Sequence, residues 1–354
     1  MQVTPRGNRD FDTGVIDVAY QIDQGPRVYI QQINIIGNNR TRDHVIRREF
    51  DISEGDALNQ VMLQKAKRRL EATGFFDRVE ITTRQGDAPD RVIVYVRVAD
   101  KATGEFSIGG GFSSTTGALA EISFEEKNFL GRGQYLKVSG GMGTDDRQFG
   151  INFTEPYFLG YRVSAGFDLT SSISDANSTR DYGINTTSGV LRLGIPLTEK
   201  ISSRVYYTYV GQDTDIAGNK LDKNGTQGDS SNELSAALAP PVSPTSWTKS
   251  GFGYKLVYDD LDSLRSPREG VRLASQQEFF GAGGDAQYVS SEGSAVGYAT
   301  LSEDADLVAM LRARGGANVL LGGTGNYRAQ DNFFQGNRQI RGFENYGFGP
   351  RDPV

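Results

Sequence analysis

Apolar and polar residues change their spacing along this chain near Gly104. Upstream they mix helical and strand periods over short stretches sized for a small soluble core. Downstream, in segment after segment, every second residue is apolar, and those between are mostly Ser, Thr, Gly, Asp, Lys or Arg. A strand with that alternation carries one apolar and one polar face. A long series of such strands predicts a transmembrane β-barrel, with lipid outside and water inside.

The upstream part begins with Phe11 to Asp23, where Val15, Asp17, Ala19 and Gln21 alternate with Ile16, Val18, Tyr20 and Ile22. This predicts one strand without a partner of its own nearby, the end of a preceding, truncated domain over residues 1–25. Val28–Ile36 predicts a strand that stops at Gly37-Asn38-Asn39, and Thr41-Arg42-Asp43 opens a short helix through about Phe50. Leu58, Val61, Met62, Lys65, Ala66, Arg69 and Leu70 fall at helical spacing, with Gly74 as the stop. Phe75–Thr83 and Arg91–Ala99 then alternate as two strands around the turn 85–90. The order β-α-α-β-β over residues 26–101 predicts a small two-layer α+β domain.

From Gly104 onward eleven dyad segments are expected, near 104–113, 117–126, 133–143, 147–155, 161–171, 182–195, 199–212, 248–259, 270–280, 287–300 and 306–318. The fifth is the clearest: Val163, Ala165, Phe167 and Leu169 against Ser164, Gly166, Asp168 and Thr170. In the eighth, Phe252, Tyr254, Leu256 and Tyr258 oppose Gly253, Lys255 and Val257. Connections after even segments are mostly compact, as at 128–133 and 156–160, whereas several after odd ones are longer and polar, the longest from Asp213 to Thr245. Short periplasmic turns and long outer loops are the outer-membrane pattern. Phe129, Tyr135, Tyr157, Phe158, Tyr161 and Trp247 lie near segment ends and suit interfacial girdles.

Eleven is an odd number, and an open sheet in lipid leaves edge groups unsatisfied. The barrel over residues 103–354 is therefore expected to be incomplete in this chain. Its last stretch, from about Gly322 to Val354, is long and irregular, with Asn332-Phe333-Phe334 and Gln339-Ile340-Arg341-Gly342-Phe343.

Charge and composition exclude more than they select. Residues 1–102 hold 16 basic and 15 acidic side chains, and residues 103–354 hold 22 and 29, so the net charges are +1 and −7. Neither part has the basic surplus of a nucleic-acid binder. No stretch approaches the roughly 18 apolar residues of a membrane helix, a test that β-barrels escape. The chain has no cysteine and a single histidine, His44, with no second histidine for a metal and no Ser or Cys arrangement around it. Acidic runs at 259–262 and 303–306 lack calcium-loop spacing and read as solvated turns. No catalytic, cofactor or metal site is expected. Met1 to Arg6 shows no apolar leader, so an exported protein would have its start upstream.

Several runs carry a resemblance. Ile35-Ile36-Gly37-Asn38, Val45-Ile46-Arg47-Arg48-Glu49, and Arg69-Leu70 followed by Gly74-Phe75-Phe76 resemble the barrel-proximal POTRA domain of the BamA family. Gly104–Phe112 is similar to that family's first barrel strand, and Asn128-Phe129-Leu130-Gly131-Arg132-Gly133 to its first periplasmic turn. Thr154-Glu155-Pro156-Tyr157-Phe158 is similar to the second. Ile340-Arg341-Gly342-Phe343 resembles the family's Val-Arg-Gly-Phe/Tyr motif, with Ile340 in the Val place. In the family this motif follows the eleventh of about sixteen strands, in a long outer loop folded into the lumen. An arginine there needs a carboxylate. The family supplies it from a later strand, leaving Glu344, Asp352 or water for Arg341 in this chain.

The resemblance implies an assembly factor that inserts nascent β-barrels into the outer membrane, not an enzyme, with the POTRA domain in the periplasm. Gly104, Phe106, Ile108, Gly109, Gly110, Gly111 and Phe112 would form the edge strand at the lateral seam. Its glycines weaken the regular strand and favour a seam that parts, or they relieve crowding or mark a bulge. Glu54 would match the acidic contact for a BamD-type lipoprotein. Implied partners are nascent outer-membrane proteins, BAM lipoproteins, the bilayer and lipopolysaccharide, with no nucleic acid and no cofactor. Rival readings are a POTRA-bearing transporter for two-partner secretion or autotransporter assembly, and a passive porin, which lacks a POTRA domain.

Overall fold

The computed structural model describes residues 2–10, 15–23, 27–113, 117–176, 182–216, 245–321, 328 and 331–333. By its contacts the chain divides into two units: residues 1–104 with 127–133, and residues 105–126 with 134–354.

The first unit opens with β1 (Gln2–Asp10) and β2 (Val15–Asp23), which pair antiparallel from Gln2↔Asp23 to Asp10↔Val15. The strand at 15–23 thus has a partner, contrary to expectation. The sequence Gln-Val-Thr-Pro-Arg-Gly-Asn-Arg-Asp has almost no apolar alternation, so nothing local announced β1.

The elements β3 (Tyr29–Ile36), α1 (Asp43–Arg47), α2 (Gln60–Thr73), β4 (Phe76–Gln85) and β5 (Arg91–Asp100) form the α+β domain. Its sheet runs β3-β5-β4, with β3 parallel and β4 antiparallel to β5. Asn59 caps α2 by accepting from the amides of Val61 and Met62, at 2.9 and 3.3 Å. Gly74 ends it at φ 71°, a left-handed conformation that glycine adopts without penalty. The helix buries Leu63, Ala66 and Leu70, whereas Val61 is 72% exposed and Met62 is also outside the core. The helical spacing was correct and the buried stripe lies one residue round from those two. Its side chains meet Ile30, Ile33, Val45, Ile46, Phe75, Phe76, Val79, Val94 and Val96 in one core.

The segment 127–133 groups with this unit as well. Buried Thr41 donates to Asp100 Oδ1 at 2.8 Å and accepts from the Asn128 amide at 2.9 Å, and Asn128 Oδ1 accepts from Gly133 N at 2.7 Å. The Arg42 amide donates to the Gly131 carbonyl at 2.9 Å. Gly131 has φ +68° and faces the Arg40 carbonyl so closely that any Cβ would collide with it.

The second unit is one antiparallel sheet of eleven strands in sequence order, a partial barrel. Its strands are β6 (Gly104–Ser113), β7 (Gly117–Phe129), β8 (Gln134–Gly143), β9 (Asp146–Glu155), β10 (Ser164–Ser174) and β11 (Tyr182–Pro196). They continue as β12 (Ile201–Ile216), β13 (Ser246–Asp259), β14 (Gly270–Gly284), β15 (Tyr288–Ser302) and β16 (Leu307–Leu320). The registers align Leu136, Phe153, Phe167, Leu191, Tyr207, Phe252, Phe279, Val289 and Val319 into a continuous apolar row. The adjacent row, on the opposite face, reads Tyr135, Thr154, Gly166, Arg192, Tyr206, Gly253, Glu278, Ser290 and Asn318. One face suits hydrocarbon and the other water.

Candidate functional site

Two sheet edges in this chain are of opposite character. β6 closes the order of the eleven-stranded sheet on one side, with β7 as its neighbour and no strand beyond it among the described residues. Phe106, Ile108 and Phe112 are 61, 77 and 82% exposed. A Cβ added at Gly109 or Gly111 would meet nothing within 4 Å, and at Gly110 only the Leu119 carbonyl at 3.6 Å. None of the three has a positive φ. No described atom crowds a side chain at these three positions.

The β3 edge of the α+β domain is occupied. The Ile30 amide donates to the Asp56 carbonyl at 2.9 Å, Gly55 N to the Ile30 carbonyl at 2.7 Å, and Leu58 N to the Val28 carbonyl at 2.8 Å. Beyond them Glu54 takes over: its Oε1 accepts from the Ile33 amide at 2.9 Å, while Arg47 Nη2 donates to the Ile33 carbonyl at 3.1 Å. Arg47 also donates to Asp43 at 2.8 Å and lies 3.4 Å from Glu54. The Asp43 hydrogen bond, ahead of the Glu54 charge, raises the Arg47 pKa above its ordinary value. Glu54 is thus a half-exposed carboxylate that already substitutes for a missing strand at Ile33. His44, on α1, is exposed.

On the polar face of the large sheet, long side chains lie across glycines of the neighbouring strand. Arg192 pairs with Asp168 and, passing over Gly166, donates to Thr154 Oγ1 at 2.7 Å and to the Phe153 carbonyl at 3.2 Å. Tyr206 lies over Gly253 and donates to Glu278 at 2.9 Å. A side chain at either glycine would displace these contacts. Among the described residues no group of three or more His, Cys, Asp and Glu side chains is placed to hold a metal ion.

Residues 128–353 match the Omp85 superfamily domain. The chain belongs to the Omp85 superfamily. Residues 28–101 of this Omp85 chain match the POTRA family described as a surface antigen variable number repeat. The outer membrane protein assembly factor BamA of Neorickettsia risticii is 26% identical over 352 residues, covering 99% of this chain and 45% of that protein. BamA of Neisseria meningitidis is 26% identical over 351 residues, covering 96% and 43%. The chain therefore spans less than half the length of these relatives. The crystal structure of Haemophilus ducreyi BamA lacking POTRA domains 1–3 has a TM-score of 0.73 at 23% identity, covering 99% of this chain and 66% of that one, and shares its fold. The chain is thus similar to BamA proteins over nearly its whole length, and the Omp85 and POTRA matches place it in the outer membrane with its POTRA domain in the periplasm.

Within the Omp85 match, the motif Ile340, Arg341, Gly342 and Phe343 lies outside the described residues, as do Glu344 and Asp352. Two expected girdle residues are corrections: Tyr135, in register with Thr154 on the polar face, and the more deeply buried Trp247. Trp247 is 5% exposed and pairs in register with Gln212, on the face of Tyr206 and Gly253, so it is buried on the polar side and is no part of a lipid girdle. Its ring stacks under Arg328, with the guanidinium carbon 4.9 Å from the ring centre. Sequence reasoning missed Arg328, since a lone Arg in a Gly-rich stretch carries no local pattern. It also missed Arg192, whose only signal was a charge at a lumen-face position of the dyad alternation.

Proposed function

We propose that the chain is the working part of an outer-membrane protein assembly factor, in which β6 lends its edge to an incoming strand of a nascent β-barrel. A strand entering lipid with bare N–H and C=O groups meets a cost of several kcal/mol per group. A template edge removes it by β-augmentation. The observation that carries this reading is the contrast of edges in one Omp85 chain: among the described residues β6 has no strand beyond it and a glycine run that no atom crowds, while β3 is covered by residues 54–58 and Arg47. Assembly by strand templating makes and breaks no covalent bond, so the chain is read as a non-enzyme.

In this reading the POTRA domain recruits partners, with Glu54 and Arg47 as an exposed polar pair for a BamD-type lipoprotein and β4 as its remaining edge. Ile340 to Phe343 would brace the lumen through Arg341. A carboxylate that already holds Ile33 presents its second oxygen in a fixed direction, which suits recognition of an arginine. The lipid-facing row would meet the bilayer and lipopolysaccharide.

The test is client folding into liposomes by the whole protein. Gly110→Pro stiffens β6 and removes one of its N–H groups, and is expected to slow folding at least about tenfold while the barrel itself stays folded. An unchanged rate would count against β6 as the template. Detergent-free conductance or secretion of one dedicated substrate, without general folding activity, would favour the transporter reading.

A further inference from the structure

On the polar face of the sheet, at the end of β12 to β16 marked by Ile216 and Ser246, the described residues form a second, separate core. Trp247, Phe280, Ala286 and Tyr288 are buried there, with the Phe280 and Tyr288 rings 4.8 Å apart. Trp247, Phe280 and Tyr288 share the face of Tyr206, Gly253 and Glu278 by register, so this core lies opposite the lipid-facing row. Two charged residues that follow β16 are seated on it.

Arg328 is 2% exposed. Its guanidinium stacks on Trp247, and Nη2 donates to Gln212 Oε1 at 3.0 Å. Asp331, with its side chain 3% exposed, receives Lys249 Nζ at 3.1 Å, the Arg328 amide at 3.2 Å, and Arg328 Nε at a longer 3.6 Å. The Asp331 amide donates back to the Arg328 carbonyl at 3.0 Å, and Asn318 of β16 donates to the Asp331 carbonyl at 2.9 Å. Phe333 then lies against Gly316, where a side chain would collide with its ring. Nε and Nη1 of Arg328 have no hydrogen-bond partner among the described residues. Burial lowers the pKa of this guanidinium, with the Asp331 charge opposing.

Burying a carboxylate and its cations is unfavourable unless geometry and hydrogen bonds compensate. A connection that merely passed over the sheet would leave these ions in water. Three strands here contribute a contact to Arg328, Asp331 or Phe333: Gln212 from β12, Trp247 and Lys249 from β13, and Asn318 and Gly316 from β16, while Phe280 of β14 lies under Lys249 at 5.3 Å. We infer that Arg328 and Asp331 are positioning residues, a staple that roots the segment following β16 on the polar face of β12 to β16 and thereby sets where the chain bearing Ile340 to Phe343 departs. The inference stands on this geometry and is independent of the assembly reading.

The experiment uses the whole protein in liposomes and reads two quantities: chymotrypsin cleavage after Phe333, and the heat-sensitive electrophoretic mobility that marks a folded barrel. Arg328→Met is expected to leave the mobility unchanged and to speed cleavage at least about tenfold. Arg328→Lys, which can still reach Asp331 but stacks less well on Trp247, should fall between. Trp247→Leu, a milder change that keeps an apolar residue under Arg328, should speed cleavage by several-fold. Folded barrels with cleavage unchanged in both Arg328→Met and Trp247→Leu would overturn the staple. So would loss of folded mobility in Arg328→Met together with unchanged cleavage in Trp247→Leu, because the cluster would then be ordinary barrel core.

Discussion

The POTRA domain and the sheet unit use the same apolar residue types to opposite ends. In the domain, Leu70, Val94, Val96 and Ile46 are essentially inaccessible, and the exposed face of α2 is polar apart from Val61 and Met62. In the sheet, Leu191 and Phe252 are each 61% exposed, on a row that runs unbroken through nine strands, while the buried apolar residues are confined to the cluster around Trp247. The lesson is that burial alone does not define a core. In the first unit water drives apolar side chains together. In the second the bilayer takes the place of the partner surface, and the hydrogen-bonded ladder supplies the order.

The most sensitive way to break that comparison is Leu70→Ala, which empties a site packed by α2 against the sheet. It is expected to destabilise the POTRA domain by about 2–5 kcal/mol in urea unfolding. A loss under ~1 kcal/mol would mean this core is looser than its packing implies. On the sheet, Leu191→Lys should cost on the order of 2–4 kcal/mol at the bilayer midplane, less toward an interface, when folding into lipid is titrated with denaturant. Val190→Lys, on the face of Asp168 one residue away, should be near neutral. Equal penalties at 190 and 191 would contradict the assignment of faces.

The polar ties are smaller in effect. Asn128→Ala removes the partner of buried Thr41 and of the Gly133 amide, and about 1–3 kcal/mol of stability is expected to go with it. Thermal melting of the POTRA-proximal unit within the whole protein would register this as a lower midpoint. Asn59→Ala, at the α2 cap, should cost about 1 kcal/mol. Asn59→Asp should restore it, which separates capping from packing.

Much of this architecture was legible because it rests on period. The eleven dyad segments became eleven strands with ends shifted by only a few residues, since a strand with lipid on one side and water on the other must alternate. The α2 stop at Gly74 was legible for the same kind of reason, a backbone conformation that one residue type adopts best. What escaped depends on contacts between distant positions. β1 pairs by backbone alone, Glu54 reaches Ile33 across the fold, and Arg328 finds Gln212 and Trp247 far back in sequence. Trp247 misled because its place near a strand end suggests a girdle, whereas one step of register puts it on the other face. The motif Ile340 to Phe343 was legible as a resemblance and lies outside the described residues.

The contrast between a free β6 and a covered β3 can be measured directly. Single cysteines at Ser107 and Ile108 of β6, and at Gln32 of β3, would be placed in the whole protein in outer-membrane vesicles and oxidised during folding of a client that carries a cysteine in its terminal strand. The account predicts disulfides from 107 and 108 whose client partner moves by one residue between the two sites, and none from 32. Cross-linking from 32 at a comparable yield, or none from β6 while the client folds at its normal rate, would contradict it.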